Sequence, residues 1–177
     1  MKIRATPLHI AALAALSLPA VGTTANAAVA PRMNIARFDQ LAQPLPKPYN
    51  EQADADRAVA AARLLARKSG RLLLIDLGGN WCLDCRILAG TMEAEPLRTW
   101  VDRHYVVVTV DVGRFDRNQQ VQKRYGIAGR LEGVPALLVV NPRSGKLLNP
   151  GRTSALADAR SITPQALADW LAQWPAK

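Results

Sequence analysis

The run Leu72-Leu73-Leu74-Ile75-Asp76-Leu77 constrains the fold more than any other stretch of this 177-residue chain. Its apolar residues are consecutive rather than alternating, and only Asp76 interrupts them. Such a run fits a central strand buried on both faces, with helices covering the sheet on each side. Tyr105 to Val112 is rich in β-branched residues and reads as a second strand, and Ala136 to Val140 as a third. The turn Asn141-Pro142-Arg143-Ser144-Gly145 leads into Lys146-Leu147-Leu148, predicting a hairpin. Asn50 is positioned to cap a helix that runs to about Ser69 and stops at Gly70, with Ala55, Val59, Ala62 and Leu65 on its apolar stripe. A second helix begins near Cys82, packs through Leu83, Ile87 and Leu88, and bends or breaks around Gly90 and Pro96. Asp116 to Tyr125 predicts another. Thr163-Pro164 starts a last helix, with Leu167, Trp170, Leu171 and Trp174 on one face. Strands alternating with helices imply an α/β fold with a mixed sheet.

The N-terminus reads as an export signal. Lys2 and Arg4 precede an apolar stretch from Leu8 to Leu18, followed by Ala25-Asn26-Ala27, an A-x-A cleavage signature. The stretch is shorter than the roughly 20 residues of a membrane span. Cleavage after Ala27 is expected, which divides the chain into a signal peptide (1–27), an extended lead-in (28–49) and one domain (50–177). Pro31, Pro44, Pro46 and Pro48 mark the lead-in, with room for one short strand near Ile35. The full chain carries a net charge of +9, and the mature part keeps most of it. Export and the scattered aromatics argue against nucleic acid as a partner, leaving a solvated basic helix face, with an acidic partner or anionic membrane surface as the lesser alternative. The mature protein is expected to be soluble, monomeric and periplasmic.

The chain holds only two cysteines, Cys82 and Cys85. A structural staple over so short a loop would constrain the unfolded chain little, because that stabilisation grows with loop length. A Cys-x-x-Cys pair that opens a helix suits redox work better. Free amide groups and the helix dipole favour a thiolate there, and the second sulfur lies a turn away. Too few ligands surround the pair for zinc, and Arg86 stands where haem attachment would need histidine. No metal and no cofactor beyond the Cys82–Cys85 disulfide is expected.

The run Asp76-Leu-Gly-Gly-Asn-Trp81-Cys82-Leu-Asp-Cys85-Arg86 resembles the active-site segment of the thioredoxin superfamily. Tyr125-Gly126-Ile127 and Gly133-Val134-Pro135-Ala136-Leu137 resemble that family's cis-proline loop. The resemblance runs from about Leu72 to Trp174 and implies a thioredoxin-like fold. It implies that Cys82 is an exposed nucleophile, Cys85 the buried resolving thiol, and Asp76 a proton acceptor for Cys85. It also implies that Val134, before a cis Pro135, offers its backbone to an extended substrate. Trp81 either shields the site or simply packs. The implied activity is thiol–disulfide exchange with protein substrates, recharged by a membrane-bound electron donor.

Three departures stand out. Leu83-Asp84 separate the cysteines, and an anion beside Cys82 opposes a thiolate. That favours a reducing role, unless Arg86 pairs with Asp84. The lysine that accompanies the family's buried acid is replaced, by position, with Val107. Ala128-Gly129-Arg130-Leu131 lengthens the loop before Pro135, as a partner selector or as neutral padding. Two rival readings remain: a non-catalytic adaptor or chaperone, and a copper-handling protein using both sulfurs.

Overall fold

A computed structural model describes residues 28–175. The export signal proposed for residues 1–27 lies outside them. The central strand β1 (Leu72–Gly78) is buried along nearly its whole length. It pairs in parallel with β2 (Tyr105–Asp111) and antiparallel with β3 (Ala136–Val140), giving the order β2-β1-β3. Consecutive leucines suit β1 because each face meets a separate apolar layer. Leu73, Ile75 and Leu77 pack toward α1 (Ala55–Ser69), together with Val59 and Ala66. Leu74 packs on the other face with Leu88 of α2 (Leu83–Glu93), Leu97 and Val101 of α3 (Leu97–His104), and Leu167 and Leu171 of α5 (Pro164–Leu171). Each such leucine contributes about 1.5–3 kcal/mol on burial. A short α4 (Gln119–Lys123) completes the set.

Several boundaries differ from expectation for physical reasons. Asp54, not Asn50, caps α1 by accepting from the Arg57 amide, and Asn50 instead organises a preceding turn through the Gln52 amide. Gly70 ends α1 at φ 72°, a left-handed position that glycine takes without penalty. Leu65 is half exposed, and Ala66 takes the buried place on the stripe. Gly90 stays inside α2. The chain breaks at Ala94–Pro96, where the helix cap and a proline coincide. The predicted Asp116–Tyr125 helix shrinks to α4. No strand forms near Ile35; a single 3-10 turn spans Phe38–Gln40.

The hairpin forms only in part. Leu147 bridges Val140, but the returning arm is not a strand. Asn149 explains this. Its buried amide accepts from the Val139 N–H at 2.9 Å and donates to the Leu137 carbonyl at 2.8 Å, taking over hydrogen bonds a neighbouring strand would make.

The lead-in is tied to the domain at several points. Arg86 donates to the carbonyls of Leu45 (2.8 Å) and Pro46 (3.1 Å), and Thr109 donates to that of Pro48 (2.9 Å). The segment is thus a strap held across the end of the sheet where β1 delivers the cysteine loop.

Candidate active site around a dithiol

β1 ends at Gly78, and the short loop Gly79–Trp81 leads directly into α2. Cys82 is the N-cap of α2, and its Sγ accepts from the Cys85 N–H at 3.1 Å. An amide aimed at sulfur in the first helical turn is the contact that stabilises negative charge there. Cys82 and Cys85 form a disulfide with their Cα atoms 5.3 Å apart. Cys85 is fully buried. Cys82 is only 6% exposed, less open than the resemblance implied. The reason is the facing loop: the Val134 carbonyl lies 3.4 Å from Cys82 Sγ, and the Val134–Pro135 peptide is cis. Val134 and Pro135 thus share one small site with both sulfurs.

Trp81 does not pack inside. It is 42% exposed, and its indole N–H donates to the Gly113 carbonyl at 2.8 Å. Arg114 stacks over its ring at 4.4 Å, Phe115 lies 6.1 Å away, and Arg130 stacks on Phe115 at 4.3 Å. Arg130 belongs to the extra Ala128–Leu131 segment. That segment therefore builds the wall beside Trp81, while Leu131 anchors it in the core. Neither Phe115 nor Arg114 carries a signal in the sequence, whereas Arg130 lies in the extra segment noted there.

Asp76, on β1, is fully buried. Its Oδ1 accepts from the Tyr49 hydroxyl at 2.9 Å, and its Oδ2 has no partner. Burial pushes its carboxyl up to about 7, opposed only by the Tyr49 hydrogen bond. The strand residue in register with Asp76 is Thr109, whose hydroxyl is committed to Pro48. Val107 pairs with Leu74 further back and is partly exposed. The buried acid's polar neighbour therefore comes from the lead-in, not from β2. Tyr49 was missed because the lead-in lies outside the recognisable motifs. Its one signal is an aromatic that closes a proline-rich stretch in a chain whose buried acid lacks its usual lysine.

Asp84 is also buried, and its partner is Arg160 rather than Arg86. The Arg160 guanidinium meets both carboxylate oxygens, Nη2 to Oδ2 at 2.6 Å and Nε to Oδ1 at 3.1 Å, and the Arg160 backbone N–H adds a third bond at 3.0 Å. Arg86 is spent on the strap. The charge beside Cys82 is thus compensated from the 3-10 turn Ala159–Ser161, 76 positions away in sequence.

A thioredoxin-like family model matches residues 51–142. The crystal structure of a disulphide isomerase from Xylella fastidiosa Temecula1 is similar at 35% identity and a TM-score of 0.65, covering 72% of this chain and 96% of that one. The C-terminal domain of Neisseria meningitidis DsbD in its oxidised form aligns at 19% identity and a TM-score of 0.43, over 67% of this chain and 94% of its own. A mutant thioredoxin from Halobacterium salinarum NRC-1 aligns at 22% identity and a TM-score of 0.41, over 77% and 96%. No curated protein sequence matches.

Proposed function

From the premise that this chain belongs to the thioredoxin-like family, we propose an exported thiol–disulfide oxidoreductase whose reduced Cys82–Cys85 pair acts on protein disulfides. One observation carries the reading: Cys82 caps α2 with its sulfur between the Cys85 amide and the Val134 carbonyl. That arrangement supports a thiolate next to a backbone edge on which an extended substrate can lie.

The cycle begins with the Cys82 thiolate attacking a substrate disulfide. A mixed disulfide forms, and one substrate thiolate leaves. Cys85 then gives up its proton, with Asp76 as acceptor, and attacks Cys82 Sγ. The second substrate thiolate departs and takes a proton. The substrate disulfide has gained two electrons, and Cys82–Cys85 has lost them. A membrane-bound electron donor is the implied source that restores the dithiol. The protein substrates dock along Val134 and Pro135 beside Trp81, and the enzyme works as a monomer in the periplasm, without nucleic acid.

The reducing direction rests on the absence of an activating histidine between the cysteines. Arg160 offsets the charge of Asp84, so that carboxylate contributes little to the direction. Disulfide isomerisation is the second reading, favoured by the similarity to the Xylella isomerase. It uses the same first step but lets a substrate thiolate displace Cys82, with no need for Cys85.

Insulin reduction tests the main reading. Cys82→Ser should abolish turnover, and Cys85→Ser should accumulate trapped mixed disulfides; turnover that survives Cys82→Ser would overturn it. Refolding of a scrambled substrate separates the two directions, since isomerisation survives Cys85→Ser and net reduction does not. A reduction potential near about −270 mV supports a reductant, and one near about −120 mV an oxidant. N-terminal sequencing of protein secreted to the periplasm should begin at Ala28 if residues 1–27 are removed.

A further inference from the structure

Tyr49 is the least expected residue at the centre. It ends the lead-in strap, is 3% exposed, and donates its hydroxyl to Asp76 Oδ1 at 2.9 Å. Its backbone is clamped on both sides by one side chain: the Tyr49 N–H donates to Asn80 Oδ1 at 3.1 Å, and Asn80 Nδ2 donates to the Tyr49 carbonyl at 2.8 Å. Asn80 stands two residues before Cys82, so the loop that carries the nucleophile also fixes the tyrosine.

Gly78 shows how closely the groups converge. A Cβ placed there would collide with the Tyr49 hydroxyl and come within 2.8 Å of Cys85 Sγ. The missing side chain is therefore the space into which both the hydroxyl and the resolving sulfur project. The same hydroxyl touches the carboxyl of Asp76, whose second oxygen is buried without a partner.

We propose that Tyr49 is a positioning residue of the dithiol centre: its hydroxyl holds and orients the Asp76 carboxyl for proton exchange with Cys85. The proposal rests on the redox reading above and assigns the strap a part in it. In the resolving step Cys85 must lose a proton before its sulfur can attack, and Asp76 must be ionised to take it. A hydrogen bond donated to a carboxylate favours the ionised form. Few other groups serve Asp76. Thr109 on β2 is committed to Pro48, Leu137 on β3 is apolar, α2 presents the Cys82–Cys85 pair, and Asp111 at the end of β2 is the one further charge that acts on Tyr49. Desolvation of the ring, then the neighbouring Asp76 and lastly Asp111, keep the phenol protonated and hence a donor.

Tyr49→Phe removes the hydroxyl and keeps the ring. Two readouts on the full chain test the idea. The first is the pH profile for decay of a mixed disulfide preformed at Cys82. Its midpoint should move up by about one pH unit, with the rate unchanged on the alkaline plateau. The second is carbon NMR titration of the Asp76 carboxyl in the reduced protein, which should show the same upward movement. In an Asp76→Asn background Tyr49→Phe should have no further effect on the profile. An unmoved midpoint, or a loss of rate equal at every pH, would overturn the positioning role. Should Tyr49→Phe fail to fold, Asn80→Ser loosens the clamp instead and should move both readouts in the same direction; no movement there counts equally against the proposal. The NMR readout needs no turnover, so failure of the redox reading is told apart by the insulin assay alone.

Discussion

Two buried aspartates precede Cys85 in sequence, and they are treated in opposite ways. Asp84, in the first turn of α2, has an arginine on both oxygens and a backbone amide besides. Asp76, on β1, has one neutral phenol and one oxygen with nothing. Asp84 has both oxygens engaged by charge-assisted hydrogen bonds from one guanidinium. Asp76 is held where ionisation is costly, so its proton is free to come and go near neutral pH. A full partner makes an acid structural; a partial one leaves it chemically available.

The two sites should therefore answer the same substitution with opposite signs. Asp76→Asn is the larger effect. The folded state holds this proton to about pH 7, whereas the unfolded chain releases it near the ordinary carboxylate value of 3.8. Wild-type stability is then full below about pH 4 and lost as pH rises through 7. Asp76→Asn should add roughly 2–4 kcal/mol at pH 8 and nothing below pH 4, read by denaturant unfolding of the reduced protein. A gain that is flat with pH would break the contrast. Asp84→Asn should instead destabilise by about 1–3 kcal/mol at pH 7, because it weakens charge-assisted hydrogen bonds in a buried place. A stabilised Asp84→Asn would show that Arg160 does not compensate the charge. The smallest effect concerns Arg160→Gln, which leaves Asp84 negative beside Cys82. Attack on insulin disulfides at pH 7 should slow by roughly two- to five-fold, and the loss should shrink in high salt.

What the sequence made legible follows the same division. β1, β3 and the cap of α5 could be read because burial on two faces, β-branched residues and Thr-Pro are local signals. The cysteine pair and Asp76 could be read because their spacing is fixed by one strand and one helix start. Tyr49 and Arg160 could not. Each reaches its aspartate across a long stretch of chain, 27 and 76 positions respectively, and no periodicity marks such a contact. Arg86 was the nearest cation to Asp84 in sequence, yet an α2 side chain two positions on points elsewhere, toward the carbonyls of the strap. The interrupted hairpin failed for a related reason: Asn149 supplies from its side chain what the pattern assigned to backbone.

That asparagine has a bearing beyond the hairpin. An open sheet margin invites a second copy to add its own strand and so begin a chain of copies. With the Val139 donor and the Leu137 acceptor already taken by one amide, this margin offers a newcomer nothing to zip onto there. Under the proposed function, the backbone at Val134, within reach of the sulfur, is the place kept for a visiting polypeptide, so that a contact which would otherwise breed aggregates is reserved for exchange.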